Sequence, residues 1–237
     1  MRPLAVSFDF WNTLVVGPQG LLSGMRREAV AATLAEHGVE LAAGDLDRHL
    51  ELAWSLHLEA WEGGRGFHPR EAATSVAEAI EELDAAGRER VADAFLQAGR
   101  AAPLRLTPNA AETVAALSEA GVRLGIVCDV GLTGSGHLRA FLDRQGLLRH
   151  FDGWAFSDEV GRFKPAPEIF AHMLGQLAIE PGPEVWHVGD LRRTDVAGAR
   201  AAGLTTVRYR GIEDDDSDLP EADRVIDDLS ELLAELG

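Results

Sequence analysis

A doubly wound α/β sheet interrupted by an all-helical insert is the fold this sequence predicts. Three observations point to it. Short apolar runs suited to buried strands recur along the chain, helical patterns separate them, and one long stretch carries helical periodicity alone. The first run, "LAVSFD" (4–9), is nearly continuous in apolar residues, as a strand covered on both faces must be. Residues 16–104 then read as roughly four amphipathic helices, at about 20–37, 44–62, 69–86 and 88–100. Gly/Asp punctuation and "EGGRGFHP" (62–69) divide them. A helix follows in "AAETVAALSEAG" (110–121), with Pro108 near its start and Gly121 as its stop. Further strands are expected at "RLGIVCD" (123–129), "EVWHVGD" (184–190) and "TTVRYR" (205–210), with the helix "DVAGARAAG" (195–203) between the last two. Such alternation gives a parallel sheet with helices on both faces, a Rossmann-like core. The expected division is a core of residues 1–15 and 105–237 and a helical unit of residues 16–104.

The chain has 237 residues, and hydrophobic types make up 46 % of them, ample for a buried core. Lys and Arg total 22 against 39 Asp and Glu, a net charge of −17, which excludes nucleic-acid binding through a broad basic face. An anionic substrate would need a local cation or a metal to offset that field. Cys128 is the only cysteine, so no intramolecular disulfide framework exists and a reducing compartment fits. The opening "MRPLAVSFDF" has too short an apolar run for a signal peptide, and no 18-residue apolar stretch occurs. A soluble, cytoplasmic protein without membrane contact is expected. The acidic stretch "EDDDSDLPEAD" (213–223) reads as a solvated loop; as a calcium site it lacks the EF-hand spacing and closing Glu.

Three expected strands end on an acid: Asp9, Asp129 and Asp190. In open parallel sheets the ligand crevice lies beyond the carboxyl ends of the strands, so these acids should converge. Asp195 follows five residues after Asp190 at a helix start, where alone it could equally be an N-cap. Carboxylates beside carbonyls and waters form an oxygen-rich set that suits Mg²⁺. Thr13 and the N–H groups of the first loop could hold phosphate oxygens. Lys164, in "RFKPAPEIF", supplies the cation such a set lacks, although a lone lysine is ordinarily a surface residue. Pro165 fixes the backbone after it, and "PAPEIF" looks like a helix start.

Taken together, these segments resemble the haloacid dehalogenase (HAD) superfamily along the whole chain. The family's DxDx[TV] corresponds to "VSFDFWNTL", with nucleophile Asp9 and Thr13. Its second motif falls on "LGIVCDVG", with Cys128 in the hydroxyl position, its third on Lys164, and its GDxxxxD on "VGDLRRTD" with Asp190 and Asp195. The helical stretch resembles the family's C1-type cap, which closes over the strand ends and excludes water. The resemblance implies a small anionic substrate, attack by Asp9 on phosphorus and hydrolysis of an aspartyl phosphate. It implies Mg²⁺ bound by Asp9, the backbone carbonyl of Trp11, Asp190 and the phosphate, with Asp195 orienting the ligands. Lys164 would neutralise charge between nucleophile and phosphate. Trp11, Asn12, Cys128 and Asp129 would face the substrate.

Two positions depart from the family pattern. Trp11 stands where phosphatases carry a second Asp, and an indole cannot transfer the proton that such help requires, worth about 10²–10⁴-fold. L-2-haloacid dehalogenases carry an aromatic there, so metal-free dehalogenation is the rival reading. Asp190, which dehalogenases lack, favours Mg²⁺-dependent hydrolysis of a small phosphorylated metabolite. A third reading is a phosphoryl-ligand-binding or partner-binding protein that lost turnover. Cys128 is a poor partner for phosphate and reads equally as a small residue finishing a buried strand. Asp129 could cap the loop "VGLTGSG", whose glycines would let N–H groups approach an anion. In the cap, Trp54, Leu58 and Trp61 recur at helical spacing, read first as a packed seam, with one Trp facing the cleft as the alternative. His57, Arg65 and His68 are the expected polar contacts of the cap, whereas His172 and His187 are expected to be structural.

Overall fold

The structure, a computed structural model, describes residues 2–17 and 20–236; the outermost expected bounds, Met1 and Gly237, lie outside the described residues. Strand β1 (Ala5–Phe8) leads through a tight loop to the short β2 (Val15–Val16), and four helices follow: α1 (Leu21–Glu36), α2 (Asp45–Glu62), α3 (Pro69–Glu78) and α4 (Ala85–Gln97). A 3₁₀ turn, Ala98–Ala101, returns the chain to β3 (Arg105–Leu106), which pairs antiparallel with β2. The remainder alternates: α5 (Ala110–Glu119), β4 (Arg123–Cys128), α6 (Ser135–Arg144), β5 (Gly153–Phe156), α7 (Ser157–Val160), α8 (Pro167–Leu177), β6 (Val185–Gly189), α9 (Ala197–Ala201), β7 (Thr205–Tyr209) and β8 (Arg224–Ile226). The main sheet has six strands in the order β5-β4-β1-β6-β7-β8, every neighbouring pair parallel. The doubly wound α/β core is therefore present.

Strand alternation assigns each residue its face. Val6, Phe8, Leu124, Ile126, Trp186 and Val188 pack with α5 and α6 in one apolar cluster; Ala5, Val127 and Val185 pack on the other face against α8 and α9. Gly125 and Gly153 face each other across β4 and β5. A Cβ on Gly125 would meet Met173 at 2.9 Å, and one on Gly153 would meet Gln176 at 3.0 Å. Their missing side chains let α8 lie close on the sheet.

The four helices share their own apolar cluster, including Val30, Ala53, Val76, Ile80, Val91 and Phe95, which Leu132 and Phe163 from the core complete. Two expected boundaries move. The third helix ends at Glu78 rather than near residue 86, and the next begins at 85. Asp84 takes the N-cap of α4, accepting from the Gly87 N–H at 2.7 Å, while buried Ile80 and Leu83 anchor the turn. His68 is engaged in a capping box rather than offered to a ligand: its Nδ1 accepts from Arg70 N at 3.1 Å, and Glu71 accepts from His68 N at 2.8 Å.

The acidic stretch 213–223 is a loop, but not a merely solvated one. Arg208 is 2 % exposed and needs counter-charge. Its Nε and Nη2 each donate to Glu221 at 2.8 Å, and its Nη1 donates to Asp214 at 2.5 Å. Arg192 donates from its backbone N to Asp215 at 2.6 Å and from Nη2 to Glu221 at 2.9 Å. Among the described residues no helix is long and apolar enough to cross a membrane.

Candidate active site

Strands β4, β1 and β6 are neighbours, so Asp129, Asp9 and Asp190 stand at three consecutive strand ends. Asp9 continues the ladder, its N–H donating to Val188 O at 2.8 Å. The chain then folds back: Leu14 N and Val15 N both donate to Phe10 O, at 3.0 and 2.9 Å. Asn12 takes the left-handed conformation (φ 56°), which Asn tolerates better than most residues. Beyond β6, residues Arg192–Val196 form a π-helical turn that brings Asp195 back across the strand end. Asp195 Oδ2 accepts from Leu191 N at 3.1 Å, and a Cβ on Gly189 would lie 2.2 Å from Asp195 Cγ. Glycine at 189 is thus required for Asp195 to occupy its place.

One carboxylate oxygen from each of Asp9, Asp190 and Asp195 lies within 4.8 Å of the others, and all three residues are buried. Lys164 is 3 % exposed. Its Nζ donates to Asp9 Oδ1 and, at 2.6 Å, to Asp195 Oδ1. Asp129 fastens the segment that carries this lysine, accepting from Lys164 N at 3.0 Å.

The charges are poorly balanced. Burial pushes the Asp9 carboxyl up to about 7; Lys164 opposes that rise, and Asp195 adds to it by repulsion. Asp190 is held well above the carboxylate range by burial and by repulsion from Asp195 and Asp9. Burial works to raise Asp195 as well, but Lys164 and His187 outweigh it and hold Asp195 below its ordinary value. Lys164 is raised despite its burial, because Asp195, Asp9 and Asp129 surround it. One of the three acids is therefore firmly ionised, and one lysine, shared between Asp9 and Asp195, cannot balance all three.

His187, expected to be structural, is packed in β6 and also touches Asp195. Its Nε2 lies 3.1 Å from Asp195 Oδ1, and its Nδ1 lies 2.9 Å from Ser7 Oγ. Burial lowers its pKa against the pull of Asp195, so the ring is neutral. A carboxylate only accepts, which assigns the proton to Nε2 and leaves Nδ1 to accept from Ser7.

A cavity of about 520 Å³ opens above the strand ends. Asp9, Trp11, Asn12, Asp129, Lys164, Asp190 and Asp195 line it, so most of the expected site residues meet there. Two do not line it. Thr13 is fully buried beside Asp9, its Oγ1 without a partner and its carbonyl accepting from Thr107 Oγ1 at 2.6 Å. Cys128 is corrected from the expected substrate contact: its side chain is fully buried in the apolar cluster beneath the sheet's end. Burial, with Asp9 nearby, pushes its thiol well above the usual range, so it is no nucleophile. Trp11 stacks edge-on against Phe10, with ring centroids 5.1 Å apart.

Helix α2 forms much of the opposite wall. Trp54, Leu58 and Trp61 line the cavity; Trp61 also packs against the apolar cluster of the helices, whereas Trp54 is 48 % exposed. Trp61 also reaches the core: its Nε1 donates to Asp129 Oδ2 at 3.0 Å, and Arg193 stacks on its ring at 3.6 Å. His57 lines the same wall, but Arg65 does not; its guanidinium lies over Phe67, by a separate shallow depression. Sequence reasoning passed over Arg26 of α1, which is 6 % exposed and lines the cavity. Its signal was legible, since Arg26, Val30, Thr33 and Leu34 share one helical stripe and a cation interrupts it.

Known proteins resemble this chain in fold and in sequence. A ribulose-1,5-bisphosphate 5-phosphatase of Halopiger xanaduensis is 36 % identical over 137 residues, 54 % of this chain and 56 % of that protein. A glyceraldehyde 3-phosphate phosphatase of Methanopyrus kandleri is 35 % identical over 136 residues, 55 % and 56 % of the two chains. The chain thus spans about half the length of the curated relatives it matches. A 2-haloacid dehalogenase structure from Pseudomonas syringae pv. Tomato covers all of both chains with a TM-score of 0.73, but at 22 % identity it speaks to the fold alone. The model of the haloacid dehalogenase-like hydrolases matches residues 4–203, from the approach to β1 to the glycine that ends the turn after α9. By that match, the chain belongs to the haloacid dehalogenase-like hydrolases and is an enzyme of that class.

Proposed function

We propose that this hydrolase is a Mg²⁺-dependent phosphatase that cleaves a small phosphorylated metabolite through an aspartyl-phosphate intermediate. The observation that carries the reading is the buried set of Asp9, Asp190 and Asp195, with Lys164 as the one cation paired with it among the described residues. Three buried carboxylates that share a single lysine suit a hard divalent ion. The phosphatase names of the relatives from Halopiger and Methanopyrus support the same reaction. Asp9, the Trp11 carbonyl and Asp190 would hold Mg²⁺, with Asp195 orienting them; the ion would supply charge neutralisation at the phosphoryl oxygens.

Asp9 is the nucleophile in this mechanism. Its free oxygen attacks phosphorus, the P–O bond to the alcohol breaks, and water then cleaves the acyl phosphate to return the carboxylate. Lys164 holds Asp9 Oδ1 and would neutralise charge between the nucleophile and the phosphate. His187 and Gly189 keep Asp195 in place for both lysine and metal. The Thr13 hydroxyl is buried and, among the described residues, unpaired; it would have to leave its buried place to reach a phosphoryl oxygen. Helices α1–α4 act as a cap that excludes water, held to the core by Trp61 on Asp129 and by Arg193 on Trp61. Trp11 offers no proton to the leaving oxygen, so good leaving groups are favoured.

The test is turnover of a panel of phosphate monoesters with Mg²⁺, beside 2-haloacids in EDTA, using wild type and Asp9→Asn. Phosphate release that requires both Mg²⁺ and Asp9 is expected. Halide release in EDTA without phosphatase activity would overturn the reading in favour of dehalogenation.

A further inference from the structure

Arg26 is a cation in a place that makes little sense without an anion. It is 94 % buried by its 6 % exposure, yet among the described residues no carboxylate lies within ion-pair distance of it. Its hydrogen bonds leave from Nη2 alone, to Leu132 O and Thr133 Oγ1, each at 2.9 Å. Among the described residues, Nε is buried with no partner and Nη1 makes no hydrogen bond. The Phe95 ring, 5.2 Å from the guanidinium carbon, gives only partial compensation. Leaving a buried charge unpaired is costly, and a protein carrying a net charge of −17 has no shortage of acids to place beside it. Burial alone lowers the group to about 10, so it remains charged at neutral pH.

The position gives the charge a purpose. Arg26 lines the same cavity as Asp9 and Lys164, from a helix of the insert rather than from the strand ends. The same cavity is also lined by the apolar Leu22, Trp54, Leu58 and Trp61. We infer that Arg26 is a specificity residue that binds a second anionic group, carboxylate or phosphate, at the far end of a substrate whose phosphoryl end meets Asp9. The inference rests on the phosphatase reading for the first end and adds the class of the second. Its Nη2 bonds to Leu132 and Thr133 fix the guanidinium and Nε is sealed from the cavity, which leaves Nη1 to the ligand. Those same bonds could instead serve only to fasten α1 to the core loop, and the experiment separates the two roles.

Binding of three non-hydrolysable probes to the full chain with Mg²⁺ is measured by calorimetry: propylphosphonate, 3-phosphonopropionate and propane-1,3-bisphosphonate. Wild type is expected to bind one or both of the doubly anionic probes about 10- to 100-fold more tightly than propylphosphonate, the span of a charged hydrogen bond. Whichever of the two leads identifies the far group as carboxylate or phosphate. In Arg26→Gln the gap should collapse, and in Arg26→Lys part of it should return. If wild type shows no gap, or Arg26→Gln keeps it, Arg26 is only a fastener and the inference fails. Should Arg26→Gln not fold, the wild-type gap and Arg26→Lys still decide. Phosphate release from simple monoesters without any such gap would sink this inference while leaving the phosphatase reading standing; binding of no probe at all would sink both.

Discussion

If Asp9 and Asp190 receive a divalent ion, Mg²⁺ must compete with protons, and the competition can be measured. Asp9 sits at about 7 in the folded protein. From pH 8 to pH 6 its ionised fraction falls from roughly nine-tenths to roughly one-tenth, so Asp9 alone weakens apparent Mg²⁺ affinity about tenfold, or ~1.4 kcal/mol. Asp190 is raised too and steepens the loss. The sign for folding follows from the same shift. A carboxyl raised in the folded state binds more protons there than in the unfolded chain, so metal-free stability falls as pH climbs from the ordinary aspartate value of 3.8 toward 7. Asp195, depressed, acts the other way, and its contribution is lost as pH falls below the ordinary carboxylate range. Mg²⁺ at a hundredfold excess over Kd should add about 2.7 kcal/mol at pH 8, or roughly 5–10 °C in Tm. Titration calorimetry in two buffers of different ionisation enthalpy reads the protons released: one or more per ion at pH 6, few at pH 8. Equal affinity at the two pH values, with no proton release at pH 6, would refute the reasoning and place the ion away from Asp9.

Three substitutions probe the surrounding structure. Lys164→Met strips the close cation from Asp9 and Asp195 and should cost about 3–5 kcal/mol in EDTA at pH 8, with a smaller loss at pH 6 where Asp9 takes up a proton; denaturant unfolding at both pH values checks it. Gly189→Ala forces a Cβ into the space of the Asp195 carboxyl. It should lower Mg²⁺ affinity by about 10–100-fold, read by calorimetry, together with a lower Tm. Trp11→Asp should raise kcat/KM for alkyl phosphates selectively over p-nitrophenyl phosphate, by at most about 10²–10⁴-fold; equal handling of both esters by wild type would mean that Trp11 is no deficit.

How much of this was legible beforehand depended on how local the signal was. Strands β1, β4, β6 and β7 declared themselves because each is buried on both faces and reads as an apolar run. Strands β5 and β8 did not, because "GWAF" opens on a glycine that exists for the approach of α8, and "RVI" is three residues at the sheet edge with Val225 37 % exposed. The convergence of Asp9, Asp129 and Asp190 could be read from strand ends alone. The partners of Arg208 and Arg192 could not, since acids in a run look solvated until the buried guanidinium they answer is placed. Likewise the ring of His187 reads as strand packing until the π-helical turn returns Asp195 to it. Trp54 and Trp61 carried a helical period that fixes a shared face but not what the face looks at.

The pairing of β2 with β3 has a consequence for recombination. Val15 lies opposite Leu106 and Val16 opposite Arg105, so the insert leaves and rejoins the chain at one doorway. Thr107 clasps Thr13 just inside it, a few residues from Asp9. A helical module from another chain, grafted between residues 16 and 105, would meet anchor points already side by side and leave the register of the six-stranded sheet alone. The far-end contacts of the substrate, Arg26 included, would travel with the graft, while Asp9, Lys164, Asp190 and Asp195 would stay. On the proposed roles, the choice of molecule and the chemistry done on it would be inherited largely as separate pieces of sequence.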